Sequence, residues 1–213
     1  MILNVYKPVN WTSFDVVAKL RGILGTKKIG HAGTLDPLAD GVLIVLTDID
    51  TKKQDELMYT NKEYIAKVAL GLDSDSYDLE TELTENKNYK GSLDFEDLKK
   101  YSGTIKQTVP PYSAVKVKGK RLYEMARNKS IDSTILPIKN VNVYNIEILD
   151  FVKKDYGVFT AIDTVTLKIN CSKGFYVRSF AHDLNGVLVG LTRTKVGEYL
   201  LEDSVKIEDI KKE

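Results

Sequence analysis

The sequence is poor in the residues that build cross-linked or metal-stabilised proteins. Its 213 residues include one cysteine, Cys171, and two histidines. A single cysteine excludes an internal disulfide framework and fits the reducing cytoplasm. So few thiols and imidazoles also disfavour a zinc site, because structural zinc is usually held by four such ligands. We therefore expect a cytoplasmic protein without a bound metal.

Long apolar runs and an excess of one charge are missing as well. The first residues, MILNVYKP, show no basic stretch followed by an apolar one, so we expect no signal peptide. No apolar run approaches the roughly 20 residues that a membrane span needs. The formal net charge is +1, with 43% hydrophobic and 29% charged residues. These values are typical of a soluble globular protein, and we predict one domain over residues 1–213.

Charge is unevenly distributed in spite of this balance. Residues 116–129 hold six basic side chains against one acid, Glu124, and Tyr112 and Tyr123 lie nearby. The basic residues are Lys116, Lys118, Lys120, Arg121, Arg127 and Lys129. Cations interleaved with aromatic rings suit phosphate contacts and stacking on splayed bases. A solvated charged face is the alternative, and the ratio of six to one favours RNA.

Periodic apolar positions predict the helices and strands. Thr12 and Asp15 match a capping box at the start of a helix that ends near Gly25, with Phe14 and Leu20 among its inward residues. Further helices are predicted near 50–60, from 94, within 107–130, from SKGFYVRSF through about 189, and at 204–211. Strands are predicted at 2–6, 42–46, 64–70, 138–152, 160–171 and 191–199.

The order of these elements indicates the fold class. Strands and helices are interspersed without a strict alternation of strand and crossover helix. We therefore predict an α/β protein of α+β character, built on a mixed, largely antiparallel sheet that helices flank. The basic stretch at 107–130 is predicted to be an insertion that protrudes from the domain.

Residues 30–41, GHAGTLDPLADG, form the most unusual segment. They lie between a basic segment and an apolar run at 42–46 that predicts a buried strand. Loops held by rigid strands often carry catalytic side chains. Asp36 precedes Pro37, which biases Asp36 toward an extended backbone. On these local features alone, an ordinary turn in which aspartate bonds its own backbone is the favoured interpretation.

Five clusters, in this order, resemble the TruB family of pseudouridine synthases. They are KPVNWTSFD, the segment at 30–41, Tyr64, PPYSAVKVKGKRLYEMAR, and CSKGFYVRSF with LTRT. Residues 30–41 match the family's block G-H-x-G-x-L-D-P-L-A-x-G throughout, which is highly specific. The resemblance extends from about residue 2 to 210 and outweighs the turn interpretation. It implies the pseudouridine synthase fold and isomerisation of a uridine, position 55, in the T loop of tRNA.

The resemblance implies catalytic roles for Asp36, Arg178 and Tyr64. Asp36 aligns with the catalytic aspartate, which could add to the ribose anomeric carbon C1′, add to uracil C6, or promote proton loss at C2′ through a glycal. These three routes stay open. Arg178 aligns with the arginine that pairs with this aspartate and would keep it ionised. Without the alignment, Arg178 would be interpreted as a solvated helix residue.

The same resemblance implies a set of substrate contacts. Tyr64 is expected to stack on the target base and to relay the C5 proton, while His31 is expected to contact RNA where the uridine is extruded. Tyr176 and Leu191 are expected to line the uracil pocket, because a flipped base is held by stacking and edge contacts. Taken singly, these residues would be interpreted as core or structural residues.

Three other residues match the family's pattern outside the catalytic set. Lys7 and Pro8 are expected to give structural support. Asp78 aligns with a family acid, but its segment, SDSYDLET, departs from the usual TDTxDxxG, so its role stays open. The insertion at 107–130 resembles the one that closes over the T stem-loop.

The resemblance also sets expectations for partners. We expect tRNA as the substrate, no cofactor, no membrane, no obligate protein partner and a monomer. Family members commonly carry a C-terminal RNA-binding domain of the PUA kind, and we expect none here. The alternatives are a relative that acts with guide RNA and a catalytically idle tRNA-binding or folding protein. Asp36, Tyr64 and Arg178 together argue against an idle protein.

Overall fold

The computed structural model describes residues 1–93, 95–128 and 133–212, so Lys129 lies outside the described residues. By its internal contacts the chain divides into two compact units. Unit 1 comprises Met1–Ile65, Lys168–Lys173 and Gly190–Glu213; unit 2 comprises Ala66–Leu167 and Gly174–Val189. The single domain predicted over 1–213 stays a prediction.

The described elements are four α-helices, thirteen strands and several 3₁₀ turns. The helices are α1 (Ser13–Leu24), α2 (Gln54–Met58), α3 (Leu122–Arg127) and α4 (Val177–Asp183). The strands are β1 (Ile2–Lys7), β2 (Ile29–Ala32), β3 (Ala39–Thr47), β4 (Lys62–Leu70), β5 (Leu72–Asp73), β6 (Thr84–Glu85), β7 (Gly103–Thr108), β8 (Lys116–Val117), β9 (Lys120–Arg121), β10 (Ile138–Tyr156), β11 (Phe159–Cys171), β12 (Gly186–Val196) and β13 (Tyr199–Leu200). No helix within the described ranges has the length and apolar character that a bilayer span requires.

Strand β3 is the centre of unit 1. It pairs antiparallel with β1 and β2, and parallel with β12, where Leu191 to Arg193 lie opposite Ala39 to Gly41. All its residues except Asp40 are buried. This explains why its sequence is a continuous apolar run rather than an alternating one. The predicted strand at 42–46 is confirmed, but it begins at Ala39, which leaves only residues 33–38 as the loop before it.

Helix α1 begins and ends as its capping residues predict, but a different face of the helix is buried from the one predicted. The Thr12 hydroxyl accepts from the Asp15 amide, the Asp15 carboxylate accepts from the Thr12 amide, and Gly25 ends the helix with a φ of 66°. The inward prediction for Phe14 is wrong, because its side chain is 65% exposed. Ser13, Val16, Val17 and Leu20 are buried instead, a spacing that places one helix face on the core. The Ser13 hydroxyl bonds the Leu35 backbone, which fixes this rotation of the helix.

The main strands of unit 2 are neighbours in the order β4, β11, β10 and β7. Strand β10 pairs with β7, β11 is next to β10, and β4 is next to β11. Gly157, at a φ of 62°, lies in the predicted turn between β10 and β11. Together with the parallel β3–β12 pair in unit 1, these pairings confirm the mixed, largely antiparallel sheet and the α/β class predicted from sequence.

The helix predicted to run from SKGFYVRSF to about 189 is shorter in the structure. Helix α4 ends at Asp183, Asn185 adopts a left-handed φ of 58°, and β12 begins at Gly186. A Cβ on Gly186 would lie 2.7 Å from the carbonyl oxygen of Ala69, so a close backbone approach determines this boundary. The predicted helices from 94 and at 204–211 are 3₁₀ turns, Phe95–Tyr101 and Ile207–Asp209, and Asp94 itself is outside the described residues.

Candidate active site

Asp36 is presented by a short loop whose backbone is fixed by buried groups. The side chain is half-buried, and the Asp36 carbonyl accepts from the Ala39 amide at 3.1 Å. The preceding residue, Leu35, donates its amide to the Ser13 hydroxyl at 2.9 Å, and that hydroxyl lies 3.2 Å from the Leu35 carbonyl oxygen. The loop before β3 therefore holds a carboxylate at a defined place.

Lys7 holds the other side of the same loop. Its ammonium donates to the carbonyl oxygens of Pro8 at 2.9 Å, Trp11 at 2.6 Å and Pro37 at 3.5 Å. The Pro37 carbonyl also accepts from the Asn10 amide at 2.8 Å. Lys7 is fully buried, and burial lowers its pKa to about 8. These contacts support the structural role predicted for Lys7 and Pro8.

Arg193 is a buried cation in unit 1 that sequence reasoning missed. Only 1% of the residue is exposed. Its Nε donates to the Val42 carbonyl at 2.8 Å, its Nη2 to Gly33 at 3.0 Å and its Nη1 to Thr34 at 3.5 Å. An arginine in a strand ordinarily indicates a solvated position, so the only sequence signal was its place in LTRT.

Tyr64 is buried in β4, with 9% of the residue exposed. Burial raises its pKa, and the Asp36 charge adds a smaller effect in the same direction. The Arg193 charge opposes this rise. Tyr64 therefore lies in the electrostatic field of both Arg193 and Asp36.

Leu191 and His31 lie on strands that flank this loop. Leu191 is half-buried in β12, opposite Ala39 in the parallel pair. His31 is half-buried in β2, opposite Val45. Burial, and then the Arg193 charge, lower the pKa of His31. Its Nδ1 is buried and has no hydrogen-bond partner among the described residues.

Arg178 lies in unit 2, at the second residue of α4. Its side chain is 5% exposed, which argues against a solvated helix arginine. The guanidinium donates to the Ser76 carbonyl at 3.2 Å and the Tyr112 carbonyl at 3.0 Å. Its Nε lies 3.6 Å from the Asp78 carboxylate, whose side chain is 6% exposed. Asp78 therefore supplies a buried negative charge to Arg178.

The segment around Asp78 forms its own hydrogen-bond network. The Asp78 carboxylate accepts from the Glu80 amide at 2.9 Å. Its carbonyl accepts from the Ser74 hydroxyl at 2.7 Å and from the Ser76 hydroxyl at 3.2 Å. The segment that departs from the family's pattern is thus an ordered turn, with Asp78 at its centre.

Tyr176 precedes the first residue of α4 and is half-buried. Its amide donates to the Gln107 side-chain oxygen at 2.7 Å, and its carbonyl accepts from the Gln107 amide nitrogen at 2.9 Å. The Lys139 ammonium lies 5.6 Å from the centre of the tyrosine ring. Gln107, which is buried, was missed from sequence because its partner is distant in the chain.

The basic segment forms a short hairpin in unit 2. Strands β8 and β9 pair, and Lys118 and Gly119 turn between them with φ values of 50° and 82°. The side chains of Lys116, Lys118, Lys120 and Arg121 are exposed. Arg127 is also exposed, but it pairs with Glu80 at 2.8 Å. The lysines of the hairpin are exposed to solvent. This exposure agrees both with binding to RNA and with an ordinary solvated charged surface.

Comparison with known proteins gives one consistent family. A sequence model described as TruB family pseudouridylate synthase (N terminal domain) matches residues 21–177. The chain is 42% identical to tRNA pseudouridine synthase B of Clostridium tetani, over 100% of this chain and 73% of that protein. It is 39% identical to tRNA pseudouridine synthase B of Malacoplasma penetrans, over 100% of this chain and 91% of that protein.

A solved structure is similar in fold. The chain superposes on a chain of a Cbf5-Nop10-Gar1 complex with a TM-score of 0.68 and 26% identity. The match covers 98% of this chain and 52% of that chain, so the sequence spans about half the length of that relative.

Proposed function

Because the chain belongs to the TruB family of pseudouridylate synthases, we propose that it isomerises uridine to pseudouridine at position 55 in the T loop of tRNA. One structural observation supports this proposal most directly. Asp36 is half-buried on a loop whose backbone is held by Ser13 and Lys7. A carboxylate fixed in this way suits attack on, or charge stabilisation of, a bound uridine.

The reaction breaks the bond from C1′ to N1 and forms one from C1′ to C5. The C5 proton leaves and N1 gains a proton, so no oxidant, reductant or cofactor is required. Asp36 is the proposed nucleophile, and attack at C1′, attack at uracil C6 and a glycal route all remain open. Arg178 is the proposed partner that keeps Asp36 ionised, as the family resemblance implies.

The remaining site residues are proposed to hold the flipped base. Tyr64 is proposed to stack on the uracil and to relay the C5 proton. Leu191 and Tyr176 provide an aliphatic and an aromatic surface, and both are half-buried, as partial access to a ligand requires. His31, which is half-buried on β2, is proposed to contact the RNA where the uridine is extruded.

The T stem-loop is the proposed RNA partner of the basic hairpin. Exposed lysines at 116, 118 and 120, with Arg121 and Arg127, suit contacts to phosphates. We further propose that the protein acts in the cytoplasm as a monomer, without an obligate protein partner.

The experiment that tests this function measures tritium release from uracil C5. A tRNA transcript labelled with tritium at C5 is incubated with the protein and no added cofactor. The wild-type protein should release label from position 55. It should release none from a transcript that has cytidine at that position. The Asp36→Asn protein should release none while still binding tRNA in a filter assay. Asp203→Asn, which changes an exposed aspartate of the same unit, is the matched control and should match wild type.

Each other outcome contradicts part of the proposal. Release by Asp36→Asn at the wild-type rate would show that Asp36 is not the nucleophile. Binding without release by wild type would favour the idle tRNA-binding protein. Release only after addition of guide RNA and partner proteins would favour the guide-dependent alternative.

A further inference from the structure

The buried guanidinium of Arg193 bonds backbone carbonyls on both sides of Asp36. Its three carbonyl partners belong to Gly33 and Thr34, just before Asp36, and to Val42, just after the loop. No described side chain forms a salt bridge with it within 4 Å. A buried cation is costly unless its donors are satisfied, so the carbonyls of this loop compensate for its burial.

The geometry of the guanidinium makes these contacts restrictive. Its donors form a rigid planar fork, unlike the single flexible ammonium of a lysine. One fork that bonds Gly33, Thr34 and Val42 fixes the start of the loop relative to strand β3. Asp36 lies between these anchors, so its position depends on the fork.

The backbone of Arg193 constrains the same loop from a second direction. Gly41 lies opposite Arg193 in the parallel β3–β12 pair. A Cβ on Gly41 would lie 2.3 Å from the Arg193 carbonyl oxygen, and Gly41 has a φ of 105°. The start of β3, directly after the loop, thus packs on the main chain of Arg193.

Arg193 also reaches the proposed base-stacking residue. Its charge acts on the buried Tyr64 and on His31. One side chain therefore bonds the loop of Asp36 and acts electrostatically on Tyr64 within unit 1.

We propose that Arg193 is a positioning residue that fixes the Asp36 loop for catalysis without contacting the uridine. This inference rests on the proposed function. The role of Arg193 can be tested separately from the proposed function. Its contacts with the loop should restrict the motion of the loop backbone even when no substrate is bound.

The test compares Arg193→Lys, Arg193→Gln and the control Thr194→Val. Lysine retains the charge but replaces the fork with one nitrogen, whereas glutamine removes the charge. Thr194 is the next residue on β12 and donates to Glu63 at 2.8 Å rather than to the loop. Each protein is assayed for kcat and KM by tritium release, for amide hydrogen exchange of residues 33–38, and for folding by circular dichroism.

In Arg193→Lys we expect kcat to fall on the order of 10²-fold, because small misplacements of a catalytic group have effects of this size. KM for tRNA should stay within about threefold of wild type, since the basic residues proposed to bind the T stem-loop belong to the hairpin of β8 and β9. Exchange in residues 33–38 should become at least about tenfold faster, while exchange in β10 stays unchanged. Arg193→Gln should show a larger loss, and Thr194→Val should match wild type in both measurements.

Two results would overturn the inference. The first is an Arg193→Lys protein that folds and keeps its kcat within about threefold of wild type. The second is a loss of kcat with unchanged exchange in residues 33–38. If Arg193→Gln fails to fold, the kcat and the amide exchange of Arg193→Lys alone decide whether the inference holds. If wild type releases no tritium, the proposed function fails, whereas the exchange measurement still decides whether Arg193 holds the loop.

Discussion

At the residue scale, the burial of Arg178 makes its acidic neighbour important. The Arg178 Nε lies 3.6 Å from the Asp78 carboxylate, and both side chains are almost fully buried. Removing one charge of a buried pair leaves the other poorly compensated, which typically costs about 3–5 kcal/mol. Asparagine keeps an acceptor at the same place, so a smaller loss is expected from Asp78→Asn.

We expect Asp78→Asn to lower the free energy of unfolding by about 2 kcal/mol and to reduce kcat for tRNA. Urea unfolding and tritium release measure the two effects. Asp75→Asn is the matched control, because Asp75 is exposed in the same segment and should change stability by no more than about 0.5 kcal/mol. An Asp78→Asn protein as stable as the Asp75→Asn protein would show that the buried charge does not stabilise Arg178.

At the element scale, the parallel pairing of β3 with β12 depends on Gly41. Its φ of 105° is strained for any other residue, and a Cβ would overlap the Arg193 main chain at 2.3 Å. We expect Gly41→Ala to lower the free energy of unfolding by about 3 kcal/mol, as strain and overpacking combine.

The control for Gly41 is another glycine-to-alanine change in unit 1. Gly22 lies inside α1, and a Cβ there would meet nothing within 4 Å. Gly22→Ala should therefore raise the free energy of unfolding by about 0.5–1 kcal/mol, through helix propensity. Chemical denaturation of both variants checks the opposite signs, and equal effects would refute the packing argument at Gly41.

The elements also show which features sequence reasoning can and cannot reach. The ends of α1 were predictable because Thr12, Asp15 and Gly25 act through local hydrogen bonds and local backbone conformation. The end of α4 was not, because Gly186 is placed against Ala69, more than a hundred residues earlier. Arg193 was missed for the same reason, since its carbonyl partners lie near residue 40.

At the scale of the whole molecule, stability should vary with pH through a few buried groups. Lys7 and Lys62 are buried, and burial lowers the pKa of each from 10.5 to about 8. Between these values the unfolded chain binds protons that the native protein has released, so stability rises with pH. Burial of Cys171 acts oppositely, because it raises the thiol pKa from 9.0 to about 12.

The tyrosines reinforce the effect of Cys171 at higher pH. Tyr6 and Tyr89 have pKa values raised from 10.0 to about 12, Tyr6 mainly by its hydrogen bond to Asp40 and Tyr89 mainly by burial. The unfolded chain loses these protons first, so stability falls as pH increases beyond about 10. The two lysines act alone only between about pH 8 and 9, and the curve should pass through a maximum near pH 10.

We therefore expect the free energy of unfolding to rise by about 2 kcal/mol from pH 8 to pH 9.5, and then to fall above pH 10.5. Urea denaturation at half-unit steps of pH measures this curve. Lys7→Met and Lys62→Met should each remove about half of the lysine contribution to the rise, because each removes one of the two titrating amines. Lys19→Met, at an exposed position of α1, should leave the curve unchanged. A wild-type curve that is flat from pH 8 to 9.5, or a rise that stays complete in both Lys7→Met and Lys62→Met, would show that these buried lysines remain charged in the folded protein.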